Sequence, residues 1–311
     1  MIQKEEFYFD SREQGQKIHA VKWIPDVEKP FCILQIIHGM AEHIERYDEF
    51  AHFLAEKGIL VVGDDHLGHG KSVKEGGTYG YFCEHDAANV LVRDEHRLKK
   101  IMQGKYPGVP YLILGHSMGS FILRNYLFRY GTGVEGAIIV GTGAQSKGTL
   151  FAARALTAIQ KLFCGSKHVS KLLDKAAFGS YNKKCEPSRT KFDWLSREES
   201  NVDRYIEDPM CGFVFTVNGF ATLFKLIYNC GDEERLSKMP KNLPVMLIAG
   251  ADDPVGDYGR SIEKVYRSYL EHGMTNVRMK LYENDRHELL NETDREQVYS
   301  DIYRWILQRL A

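Results

Sequence analysis

The 311-residue chain predicts an α/β protein with a mainly parallel central sheet flanked by helices. Strand-like apolar runs alternate with helical patterns at both ends of the sequence, which is the rhythm of strands joined by crossover helices. One run, Tyr111–Leu114, reads as a buried strand and leads directly into a glycine-punctuated turn and a helix. Between residue 146 and about 235 the rhythm breaks into helix-like and irregular pieces with no convincing strand, so the α/β core carries a helical insertion.

Taken in order, FYF and KIHAVKW open the chain as strands and FCILQIIHG follows. A helix is predicted over Arg46–Lys57, then the strand ILVVGDD, a polar stretch, and a helix near Ala88–Gln103. YLILG precedes a helix over Ser117–Tyr130, whose apolar positions include Phe121, Ile122, Leu123 and Leu127, and GAIIVGTG closes the first half. The rhythm resumes with LPVMLIAG, a helix over Tyr258–His272, the strand NVRMKLYE and a final helix over Arg295–Leu310. The division is a core at 1–145, a helical cap at 146–235 and the rest of the core at 236–311. Sites in such sheets gather at the carboxyl ends of the strands.

Composition is that of a globular protein, with 43% hydrophobic and 27% charged residues. A net charge of −1 and an isoelectric point near 6.9 provide no global field to steer nucleic acid, so no nucleic-acid partner is expected. The opening MIQKEEFYFDSREQGQ has no apolar signal-like segment, and no uninterrupted apolar run approaches the ~18 residues of a membrane span. The six scattered cysteines form no C-x-x-C pair and suggest packing thiols of a reducing cytoplasm, with a disulfide among the last four as the alternative.

Gly115-His116-Ser117-Met118-Gly119 fits G-x-S-x-G, which holds a nucleophilic serine on a tight strand-to-helix turn. A serine hydroxyl is a poor nucleophile near neutral pH and needs an adjacent base, itself oriented by an acid. Three histidines follow Ser117: His168 in the insertion, His272 at a helix end, and His287 just after a strand, which position selects. For the acid, AGADDPVGD supplies Asp252, Asp253 and Asp257 after another strand. Asp257 precedes a helical pattern and reads as an N-cap; Asp253, with Pro254 stiffening the turn, is preferred over Asp252. The developing oxyanion needs preorganised donors. The N–H of Met118 supplies one, and IIHGMAEH supplies the other at Met40, with Gly39 permitting the turn and His38 bracing the loop by a hydrogen bond.

At these residues the chain resembles the serine aminopeptidase S33, monoglyceride lipase and lysophospholipase-like branch of the α/β-hydrolases, in a bacterial form. HGMAEHIERYDEFA, DDHLGHGKS, LILGHSMGS, AGADDPVGD and YENDRHELLNE occur in family order from about residue 31 to 295. The resemblance implies an α/β-hydrolase fold, Ser117 as nucleophile, Asp253 as acid, His287 as base, Met40 and Met118 as oxyanion donors, and a cap over a long apolar pocket. It implies a serine carboxylic ester hydrolase for small lipid-like esters with an apolar acyl chain, of the monoacylglycerol or lysophospholipid type, needing no cofactor. An acyltransferase, thioesterase or amidase using the same three groups is the alternative, and a silent binding protein is the reading from another class.

DDHLGHG clusters two aspartates with His66 and His69, but a glycine turn is a poor frame for metal ligands, so no metal is expected. The insertion carries ten basic residues between Lys147 and Lys191, against Asp174 and Glu186 alone. Leu150, Phe151, Leu156, Ile159, Leu162 and Phe163 form an apolar stripe among them. The expected arrangement is a cap helix packed by that stripe with a solvated basic face; weak peripheral contact with anionic lipid is the alternative.

Overall fold

The strands are β1 Gln3–Asp10, β2 Lys17–Ile24, β3 Ile33–Ile37, β4 Leu60–Asp64, β5 Tyr111–His116, β6 Gly136–Val140, β7 Val245–Gly250 and β8 Val277–Tyr282. They form one sheet in the order β1-β2-β4-β3-β5-β6-β7-β8 in a computed structural model that describes residues 1–310. β2 runs antiparallel to β1 and β4, and every pairing from β4 through β8 is parallel. Side chains alternate between the two faces of a strand, and in β3 to β7 both faces are buried. Tyr111 and Ile113 of β5 enter one apolar cluster, while Leu112 and Leu114 enter the other.

The helices are α1 Asp48–Ala55, α2 Ala87–Lys105, α3 Met118–Tyr130, α4 Lys147–Cys164, α5 Lys171–Phe178, α6 Glu199–Glu207, α7 Val217–Cys230, α8 Glu233–Ser237, α9 Arg260–Glu271 and α10 Arg295–Leu310. Phe50 and Leu54 of α1 join Tyr299 and Trp305 of α10 over one face of the sheet. Leu98 of α2, Ile122 of α3 and Ile262 of α9 cover the other. No helix among the described residues is long and apolar enough to cross a membrane, and all six cysteines carry free thiols.

Helices α4 to α8 lie between β6 and β7 and include no strand, only a bridge between Val169 and Thr216. Residue 235, the predicted limit of the insertion, falls inside α8. The insertion is tied down by polar contacts: Thr216 donates from N and Oγ1 to Gly80 O, and Asn218 Oδ1 accepts from Phe82 N.

Two expectations need correction. The apolar stripe of α4 does not pack inward: Leu150 is buried and Leu156 half-buried, but Phe151, Ile159, Leu162 and Phe163 are 76%, 56%, 80% and 80% exposed. Asp257 is not an N-cap. Asp257 and Tyr258 take positive φ of 50° and 56°, so α9 starts two residues later than predicted, behind Gly259 at φ 87°. The Asp257 carboxylate accepts from the Arg260 guanidinium instead.

Candidate active site

Ser117 occupies the single residue between β5 and α3, at φ 53° and ψ −119°. A side chain in that region costs on the order of 1–3 kcal/mol and persists only where its surroundings enforce it. The enforcement is visible. Ser117 N donates to Val140 O at 3.0 Å, tying the turn to β6. A Cβ on Gly119 would lie 2.0 Å from Ile37 O, and one on Gly115 would lie 2.4 Å from Gly119 O. Only glycines let the turn close this tightly, so the hydroxyl stands half-exposed at the N-terminus of α3.

His287 follows β8 and Asp253 follows β7; both are buried, and His287 Nδ1 donates to Asp253 Oδ2 at 3.0 Å. Asp253 Oδ1 accepts from Val255 N at 2.8 Å, fixing the carboxylate plane. With the proton on Nδ1, His287 Nε2 keeps its lone pair, and this buried atom has no hydrogen-bond partner among the described residues. Of the three aspartates, Asp253 alone meets the histidine; Asp252 is exposed. His168 is exposed in the insertion, and His272 hydrogen-bonds Ser268 O and Glu233.

The loop after β3 lies against the serine, since a Cβ on Gly39 would be 3.1 Å from Ser117 Cβ and 2.6 Å from Glu42 Oε1. Gly39 is therefore required for space. The left-handed residue of this loop is Ala41, at φ 53°. Among the described residues, neither Met40 nor Met118 donates its N–H to a loop or side-chain acceptor. His38 braces the loop as expected, donating from Nδ1 to Gly39 O and accepting from His66 N–H at Nε2. Burial, with His66 and His69 nearby, holds its pKa well below the ordinary imidazole value, in keeping with that neutral tautomer. His69 accepts from Ala41 N–H and packs among Phe82, Phe213 and Phe215.

Sequence reasoning missed a buried polar network beneath these groups. His116 Nε2 faces His287 O at 3.2 Å, and a carbonyl only accepts, so Nε2 carries a proton. Its Nδ1 faces Glu42 Oε1 and the Tyr47 hydroxyl, which already donates to Glu42, so Nδ1 carries one too. Two protons on the ring make the cationic form of His116 the favoured one. Burial opposes that charge, but the hydrogen bond and charge of Glu42 raise its pKa. Burial alone would raise the Glu42 pKa; His116 and the Arg46 guanidinium outweigh it and hold the carboxylate well below the usual range. Arg46 also spans to Glu288, which Asn201 of α6 joins at 2.7 Å. The signal for this network was present in HGMAEHIERY, but its partners are far apart in the chain.

The insertion reaches the same place. Trp194 packs on the His287 ring at 5.2 Å between centroids, and Tyr181 meets Trp194 edge-on. His287 N donates to Trp194 O and Glu288 N to Leu195 O.

The serine aminopeptidase S33 family pattern matches residues 28–294. A monoglyceride lipase homolog of Monkeypox virus is 29% identical over 305 residues, covering 94% of this chain and 95% of that protein. A monoacylglycerol lipase of Mycolicibacterium smegmatis is 26% identical over 299 residues, with 95% of each covered. The crystal structure of a thermostable carboxyl esterase from Bacillus coagulans superposes over 100% of both chains with a TM-score of 0.92 at 29% identity. With that match spanning both parts of the α/β core, the chain belongs to the serine aminopeptidase S33 family of α/β-hydrolases, in its monoglyceride lipase-like branch.

Proposed function

We propose that this carboxylic ester hydrolase cleaves small lipid-like esters, of the monoacylglycerol or lysophospholipid type, through an acyl-enzyme on Ser117. His287 Nε2 takes the hydroxyl proton as Oγ attacks the ester carbonyl, and Asp253 stabilises the resulting imidazolium. The carbonyl oxygen becomes an oxyanion held by the N–H groups of Met40 and Met118. The C–O bond breaks, and the alcohol leaves with the proton from His287. A water molecule then gives its proton to His287 and attacks the acyl carbon, and Ser117 recovers the proton as the acid departs. The observation that carries the reading is the strained φ of 53° at a serine flanked by two sterically required glycines.

Residues 146–235 act as a cap in this reading, closing over the acyl chain and contributing Trp194 beside His287. The outward row Phe151, Ile159, Leu162 and Phe163, set among the basic residues of the insertion, supports weak contact with an anionic lipid surface from which substrate is drawn. Hydrolysis of 1-monoacylglycerols, lysophosphatidylcholine, p-nitrophenyl esters of graded chain length and an aminoacyl anilide tests the assignment. Highest kcat/KM on a monoacylglycerol or lysophospholipid is expected. Preference for the anilide, or for short esters over every lipid, would overturn the substrate class.

A further inference from the structure

Asp64 at the end of β4, His66 two residues later and Glu95 in the middle of α2 meet beneath the sheet, each no more than 1% exposed. Their candidate ligand atoms all lie within 4.8 Å of one another. Both Asp64 oxygens and Glu95 Oε1 are buried with no donor among the described residues, and the two carboxyls lie close enough to share a hydrogen bond if one of them is protonated. No lysine or arginine pairs with either carboxylate there; the nearest charged-type contact is His66 Nδ1, 3.2 Å from Glu95 Oε1. Two unpaired carboxylates in a dry interior are costly, so the cluster must hold either protons or a cation.

The surroundings favour a cation. His66 Nε2 faces His38 O at 3.1 Å and so must carry the proton, which leaves the Nδ1 lone pair aimed at the carboxylates. Metal-binding histidines are fixed in this way, with the second ring nitrogen donating to a carbonyl. Gln35 Nε2 donates to Glu95 Oε2 at 2.6 Å, and the Tyr111 hydroxyl in turn donates to Gln35 Oε1 at 2.5 Å, so Glu95 is oriented as well. With metal–ligand bonds of about 2.1 Å, adjacent donors lie roughly 3.0–3.4 Å apart. The 3.2 Å separation of His66 Nδ1 and Glu95 Oε1, which is not a hydrogen bond in its geometry, falls inside that interval. Asp64 with both oxygens, Glu95 with one and His66 with one would give four donors, and a divalent ion would cancel both negative charges.

We propose that Asp64, His66 and Glu95 form a buried structural site for a divalent first-row metal of the zinc or manganese class, separate from Ser117 and His287. Mixed carboxylate and imidazole donors suit these ions. Since His66 donates to both His38 O and His38 Nε2, the ion would stiffen the strand end that leads into Gly39 and Met40. The site has no exposed ligand, so loading accompanies folding and a chelator should not strip the native protein quickly.

The test uses the full chain expressed with zinc and manganese in the medium, followed by elemental analysis. One metal per chain is expected, retained through dialysis against EDTA. Unfolding in guanidinium with EDTA and refolding without metal should lower Tm by several degrees, and refolding with equimolar zinc should restore it. The near-isosteric double variant Asp64→Asn/Glu95→Gln should fold, hold no metal and have a Tm indifferent to zinc. Less than about half a metal per chain in the parent, or metal retained in full by the double variant, would overturn the site. A Tm unaffected by metal-free refolding would do the same, leaving a carboxyl pair that holds protons.

Discussion

Replacing Asp253 by asparagine probes the proposed chemistry without disturbing the shape of the site. Val255 N–H donates to Oδ1 at 2.8 Å and His287 Nδ1 donates to Oδ2 at 3.0 Å. In the variant the amide oxygen stays on Val255, because only it can accept there. The amide NH₂ then points at His287 Nδ1, which must become the acceptor, and the imidazole proton moves to Nε2. The lone pair needed by Ser117 is lost, together with the charge that stabilises the imidazolium. Losses of about 10⁴-fold in kcat are typical of this change, equivalent to about 5 kcal/mol of barrier. Volume is conserved and a buried charge is removed, so Tm should stay within a few degrees of the parent. The assay is p-nitrophenyl butyrate turnover, with Asp252→Asn and Asp257→Asn as controls that retain most activity. A well-folded Asp253→Asn enzyme with more than about 1% of parental kcat would refute the reasoning, as would Asp252→Asn proving the crippling change.

Ser117→Ala should abolish turnover and labelling by a fluorophosphonate, and Ser117→Gly should be at least as stable as Ser117→Ala, since glycine relieves strain at φ 53°; calorimetry and mass spectrometry read both. Glu42→Gln should change the pH dependence of Tm. The raised pKa of His116 gives stability that is whole below its ordinary value of 6.5 and is lost as pH rises through the folded value. The lowered pKa of Glu42 gives stability that is whole above 4.5 and is lost as pH falls. The Tm gap between parent and variant should therefore be widest between those two values and narrow toward alkaline pH; a gap independent of pH would remove the ion pair from the account. The parent should co-sediment weakly with anionic vesicles, less so at 1 M salt where the Debye length falls to ~3 Å. Phe151→Ser/Leu162→Ser/Phe163→Ser should lose that binding while keeping short-ester hydrolysis, and equal sedimentation of the two would remove α4 from the interface.

The Ser117, Asp253 and His287 positions could be picked out because each lies on a turn within one to five residues of a strand end, at β5, β7 and β8 in turn, and strand ends are what a sequence marks best. The residues that hold those turns were not legible. His116 and Glu42 are 74 residues apart, Arg46 and Glu288 are 242 apart, and each is an ordinary polar residue in its own segment. Glu95 lies in the middle of α2, where one acidic residue among several gives no hint of burial. Such contacts depend on which helix crosses which strand end, and periodicity does not encode that. Gly39 shows a finer limit: the glycine was read as a conformational need, but the crowding of Glu42 and Ser117 is what requires it.

Periodicity likewise reveals which residues of α4 share a face without saying what that face meets. Leu150, Ala153, Leu156, Thr157 and Gln160 turn inward toward α7, a side of mostly small or polar residues on which Thr157 Oγ1 donates to its own helix at Ala153 O. Phe151, Ile159, Leu162 and Phe163 turn outward and are bulkier than what lies beneath them. A helix placed only to cover α7 would be arranged the other way, because each large apolar side chain left in water forgoes roughly 2 kcal/mol of burial. The inversion is stable because other contacts hold the ends of α4: Ser146 caps its first turn at Thr149 N, and Ser170 Oγ donates to Gln160. With anchoring supplied from elsewhere, the outer face is released from any packing role. An apolar row freed in this way, with Lys147, Arg154, Lys161 and Lys167 in the same segment, is what supports the proposed contact with an anionic lipid surface.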